Sequence, residues 1–142
     1  MTHTFRPKAL GLAALALTFA IGISASRAED VKVMLSGDQE VPAVTTAAKG
    51  SGKITVNADK SVSGSVTTSG IEGLAAHIHL GAPGKSGPPV ITLTQSEKGV
   101  WSVPAAASLT DEQYASYKAG DLYVNVHSAA NKGGEIRGQL KP

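Results

Sequence analysis

The chain reads as an all-β domain: an antiparallel β-sandwich of immunoglobulin-like size with one short helix. Two observations lead there. From Val31 onward, short runs of alternating apolar and polar residues are punctuated by Gly, Asn, Asp and Pro at roughly regular intervals, the pattern of half-buried strands joined by turns. Only one segment breaks that pattern with helix signals. Seven or so strands over about 110 residues fit two packed sheets best, with a closed barrel as the second arrangement.

The first residues stand outside the domain. Arg6 and Lys8 precede the apolar run ALGLAALALTFAIGIS, and Ser26-Arg27-Ala28 follows it, the order of a secretory signal peptide. The run is shorter than the ~20 apolar residues of a spanning helix, so residues 1–28 are expected to be a cleaved leader and 29–142 the mature domain. A periplasmic or secreted protein follows, with no stable membrane anchor after cleavage.

Within the domain, VKVMLSG is the first strand and DQEVPAVTTAAKG an irregular segment. KITVNADKSVSGSVTTSG reads as a hairpin, with Asn57 to Lys60 at the turn and Ile54, Val56, Val62, Gly64 and Val66 on the inner face. Ser61, Ser63, Ser65 and Thr67 then face solvent. LAAHIHLG, VITLT and GVWSVP supply further strands, Trp101 being the large aromatic that anchors the core. Thr110-Asp111-Glu112-Gln113 is a capping box, and Gly120 stands where a left-handed C-terminal residue belongs, which brackets one short helix. DLYVNVHS and GEIRGQL close the domain as strands.

Charge and composition remove several function classes. Without Arg6, Lys8 and Arg27, ten basic residues face 11 acidic ones, scattered without clusters, so nucleic acid and anionic membrane have no electrostatic footprint. With no cysteine, thiol catalysis, iron–sulfur clusters and thiolate zinc sites are excluded. No serine lies in a nucleophile-elbow pattern, and Asp111 and Glu112 are explained by the helix start. Classical enzyme activity is not expected.

The histidines carry the chemistry that remains. In LAAHIHL the apolar set Ala76, Ile78 and Leu80 takes the core face, which turns His77 and His79 outward. In DLYVNVH, Leu122, Val124 and Val126 point inward, and Tyr123, Asn125 and His127 lie opposite. If these two strands are neighbours, three imidazoles converge. Neutral imidazole is a common ligand of Zn(II) and Cu(II), and three of them leave a coordination position open. Glu135 and Arg137, opposite Ile136 on the last strand, and Asn125 are candidates to support such a group or to pair locally. Met34 is the one methionine after the leader, which argues against a methionine-rich Cu(I) carrier. The competing reading is structural, with the histidines ordering the loop GAPGKSGPP. That loop lacks phosphate-cradle spacing; its glycines are expected to supply positive φ, and Pro88-Pro89 to stop sheet pairing before Val90.

Three segments, LSGDQEVPAV, AAHIHLGAPGKSGPPV and LYVNVHSAANKGGEIRGQL, together resemble the CHRD (chordin-like) domain family over about residues 31–140. The family motif falls on His77, His79, Gly81, Gly84, Gly87, Pro88, Asn125, His127, Gly134, Glu135, Ile136, Arg137 and Gly138. The resemblance implies an extracytoplasmic, immunoglobulin-like sandwich and no settled activity. A fainter similarity is to copper-zinc superoxide dismutase, from which the chain departs by its few histidines and its lack of a disulfide. The expectation is therefore a secreted or periplasmic binding protein with a candidate copper or zinc site at His77, His79 and His127. Its alternatives are a metal-free module that binds an extracytoplasmic protein and a small copper enzyme acting on superoxide.

Overall fold

The computed structural model describes residues 1–2 and 28–142; the expected leader lies, but for its ends, outside the described residues. Within the described residues eight strands run in chain order: β1 (Glu29–Ser36), β2 (Lys49–Val56), β3 (Val62–Ser69), β4 (Gly73–Leu80), β5 (Pro89–Glu97), β6 (Val100–Ser102), β7 (Leu122–Ser128) and β8 (Ile136–Leu140). Among the described residues a single α-helix, α1 (Asp111–Ala119), lies between β6 and β7, and a 3-10 turn (Gly37–Gln39) follows β1. Among the described residues, no helix is long and apolar enough to cross a membrane.

The strands form a closed antiparallel barrel in the order β1-β2-β3-β6-β5-β4-β7-β8, which corrects the expected immunoglobulin-like sandwich. A sandwich keeps two sheets with free edges; here both seams are paired. At one, the three-residue β6 bonds β3 on one side, Val66 opposite Trp101, and β5 on the other, Gln95 opposite Trp101. At the second, Ser36 of β1 meets Arg137 of β8. Gly138 permits that approach, because a side chain there would collide with the Met34 carbonyl oxygen of β1. Alternation of apolar residues is the same in either architecture, so it fixes what points inward without fixing whether edges meet.

The interior follows the alternation. Val31, Val33 and Leu35 of β1, Ile54 and Val56 of β2, Val62 and Val66 of β3, Ala76 and Ile78 of β4, and Leu122, Val124 and Val126 of β7 are all buried. Trp101 joins this cluster, as do Tyr117 of α1 and Leu109 before it. The helix is bounded as its sequence dictates. Thr110 Oγ1 accepts the Gln113 backbone N–H at 3.2 Å while Gln113 Oε1 accepts that of Thr110 at 2.9 Å, and Gly120 ends the helix at φ 82°.

Two local expectations change. Pairing begins at Pro89, opposite His79, through a register shift between Ile78 and His79, and the Pro88 carbonyl accepts the Leu80 N–H at 2.9 Å. The irregular register lets prolines, which have no N–H to give, join the ladder through their carbonyls. Of the loop glycines, Gly84 has positive φ, but Gly87 is required by proximity: a Cβ there would collide with the Leu80 carbonyl oxygen.

Candidate metal centre

β4 and β7 are neighbours, with His77 opposite Asn125, His79 opposite Tyr123 and Ala75 opposite His127. β8 continues the sheet, Arg137 opposite Asn125 and Gln139 opposite Tyr123. Every second residue of these strands faces out of the barrel, which gives a three-strand grid of polar side chains centred on Asn125.

On that grid the three imidazoles come together. One nitrogen each of His77, His79 and His127 can be chosen such that all lie within 4.8 Å of one another. Two nitrogens bound to one tetrahedral ion by ~2.1 Å bonds stand about 3.4 Å apart, so the widest pair must close by at most about 1.4 Å. His77 Nδ1 and His127 Nε2 are already 3.1 Å apart. The tautomers of two rings are set by backbone. His79 Nδ1 donates to the Gly87 carbonyl at 2.9 Å and His127 Nδ1 to that of Lys132 at 2.7 Å, which leaves the Nε2 of each neutral ring as a lone pair. Burial, and then the neighbouring His127 and His79, depress the pKa of His77. Burial likewise depresses that of His79, against the opposing Gly87 hydrogen bond. Both therefore favour the neutral form a metal requires.

Loops cover much of this face. His79 is 8% exposed, Asn125 and Arg137 2% each. The segment from Gly81 to Gly87 is clamped from below: Arg137 Nη1 donates to Lys85 O at 2.8 Å and Nη2 to Ala82 O at 3.1 Å, while Gln139 Nε2 donates to Gly81 O at 2.8 Å. The Tyr123 hydroxyl accepts the Gly87 N–H at 3.3 Å. The Tyr123 ring stacks on His79 at 4.9 Å between centroids, and the Arg137 guanidinium lies 3.5 Å from its centroid. Arg137 thus holds the loop whose Gly87 carbonyl orients His79.

The remaining candidates divide. Asn125 sits among the histidines, its Nδ2 donating to Gly133 O at 3.4 Å. Glu135 immediately precedes β8, and its Oε1 accepts the Thr46 hydroxyl at 2.8 Å. Glu40, from the irregular segment after β1, also enters the grid. It is 8% exposed, and burial pushes its carboxyl up to about 7 despite the opposing Arg137 charge and Asn125 amide. Sequence reasoning missed Glu40 because a lone acid in an aperiodic loop has no pattern; its one signal was its place in the LSGDQEVPAV segment.

Elsewhere a surface cleft of about 530 Å³ is lined by residues 68–74, Gln95, Lys98 and Gly99. It contains no histidine, so the metal-ligating chemistry stays with the imidazoles.

The chain matches no curated protein and no solved structure. The family model of the CHRD domain matches residues 31–140, a span that holds nearly the whole barrel, all three grouped histidines and Glu40. The chain belongs to the CHRD domain family.

Proposed function

We propose that this CHRD domain acts outside the cytoplasm, periplasmic or secreted, as a binding protein whose His77, His79 and His127 take one divalent transition metal, Cu(II) or Zn(II). The observation that carries the reading is the fixed tautomer of two of the three rings. Backbone carbonyls hold Nδ1–H on His79 and His127 and so present two Nε2 lone pairs beside His77, the arrangement by which proteins orient imidazole ligands. An all-nitrogen set suits copper or zinc, and the absence of a charged ligand fits a labile site with an open position.

The 3.1 Å contact between His77 Nδ1 and His127 Nε2 also supports a second reading, in which the pair is a metal-free structural hydrogen bond and the domain binds an extracytoplasmic protein. Titration of the purified, chelator-stripped protein with Cu(II) and Zn(II) separates the two. The metal reading expects one ion per chain with a dissociation constant below micromolar, lost in His127→Ala. No binding tighter than micromolar sinks it. A superoxide assay on the copper-loaded form then distinguishes a carrier from a small copper enzyme.

A further inference from the structure

Three buried side-chain oxygen or nitrogen atoms of this face have no hydrogen-bond partner: Glu40 Oε1, Asn125 Oδ1 and His79 Nε2. The last two are acceptors, for a reason written in their surroundings. His79 Nε2 is a lone pair because Nδ1–H is committed to Gly87 O. The Asn125 amide is oriented by the Gly133 carbonyl oxygen, which accepts from Nδ2 at 3.4 Å and turns Oδ1 away, and Glu40 Oε1 lies on the same side as Nδ2, both of them against Gly134. The same amide lies beside the His79 ring. Two lone pairs therefore stand next to each other with no proton to share, and a buried acceptor left unpaired costs about 1–3 kcal/mol. Their complement is a cation together with a ligand that carries protons.

We propose, building on the three-histidine reading above, that Asn125 determines what occupies the coordination position the histidines leave open: its Oδ1 accepts a hydrogen bond from a water held there, and Glu40 positions the amide to do so. The ion taken is then one that keeps a water. Gly134 fits this account. It has φ +127°, and a Cβ on it would collide with both Glu40 Oε1 and Asn125 Nδ2, so the bare backbone is what lets the carboxylate reach the amide. Glu40 is a positioning residue; it touches the site only through Asn125.

The test uses the purified protein loaded with Cu(II). Asn125→Ser and Glu40→Gln should each still bind one ion, with affinity weakened about 10-fold or more, the usual effect of losing a group that orients a metal site. The exchangeable-proton couplings of the bound water, read by electron–nuclear double resonance, should change in both. The double variant Glu40→Gln/Asn125→Asp reverses donor and acceptor across the pair while keeping an acceptor toward the histidines, and should restore the couplings; a merely structural role predicts no such rescue. Intact loading with unchanged couplings and affinity within about 2-fold in both single variants overturns the role of the pair and leaves the histidine site standing. Failure of the unsubstituted protein to bind Cu(II) overturns the histidine reading and this one with it. Should Glu40→Gln not fold, Asn125→Ser decides alone.

Discussion

The outer surface of the barrel has two faces built by the same rule of alternation and treated in opposite ways. On β2 and β3, the residues that point out are small and polar, Ser51, Ser63 and Thr67 among them, and they stay exposed. Lys53 and Asp30 pair there at 2.9 Å in full view of solvent. On β4, β7 and β8, the outward residues include His79, Tyr123, Asn125 and Arg137, which are buried beneath loops, while His77, His127 and Gln139 are part-buried. Water solvates the first face without structural demands. The second must satisfy its polar groups internally or bear the cost of not doing so. It does so through Arg137, Gln139 and Tyr123, and leaves Glu40 Oε1, Asn125 Oδ1 and His79 Nε2 as exceptions. Unsatisfied groups gathered beside three imidazoles are where function is expected to have been bought with stability.

The largest effect should come from Arg137→Ala. The substitution deletes donors to Lys85 O, Ala82 O and Gln139 Oε1 and the stack on Tyr123, and it takes from these part-buried acceptors the guanidinium that holds them. A loss of about 3 kcal/mol or more is expected from such a set, measured by urea unfolding at neutral pH. Retention of wild-type stability would show that the loop over the histidines is held by other means, and the contrast between the faces would collapse.

How much of that contrast was legible in the sequence differs by element. Alternation put Val124 and Val126 inside and Asn125 and His127 outside, and Thr110 and Gly120 marked both ends of α1, because these signals are local. Convergence of His77, His79 and His127 was legible only as a condition on strand order, which the β4–β7 pairing satisfies. Barrel closure was not legible. It depends on how a three-residue β6 bonds two partners and on how closely β8 approaches β1 at Gly138, and neither leaves a periodic trace. The burial of an outward-facing arginine was hidden for a related reason: the loops that cover it are aperiodic, and alternation says which way a side chain points but not what lies above it. The same blindness concealed Glu40.

A middle-sized effect tests the charge of the buried face. Glu40 in the folded protein titrates at about 7 against an ordinary 4.5, chiefly because it is buried. Between those values the folded state holds a proton that the unfolded state has released, so this group's contribution to stability is present below about pH 4.5 and is lost as pH rises through about 7. His77 and His79 act the other way: their depressed values make stability fall as pH drops below the ordinary 6.5. Comparing the protein with Glu40→Gln cancels the histidines, which both share. The variant should gain stability relative to the parent as pH rises from 4.5 to 7, read from thermal or urea midpoints across that window. A parent-to-variant difference independent of pH would mean that the Glu40 carboxyl is solvated, contrary to its burial.

The smallest effect belongs to the open face. Lys53 Nζ bonds Asp30 at 2.9 Å, with more than half of each side chain exposed, and Thr55 also donates to that carboxylate at 2.6 Å. These two partners, with Thr55 the stronger, hold the Asp30 pKa below its ordinary value. Solvent screens such a pair and side-chain entropy opposes it, so Lys53→Ala should change stability by no more than about 0.5 kcal/mol, and less at high salt. Measured beside Arg137→Ala under the same conditions, it sets the scale of the comparison. Both residues are cations on the outside of one barrel, each with neighbouring oxygens to bond, and the difference between them is the covering loop. A loss at Lys53 approaching that at Arg137 would mean that burial is not what separates the two faces, and that the loops over β4, β7 and β8 add little to the strength of the bonds beneath them.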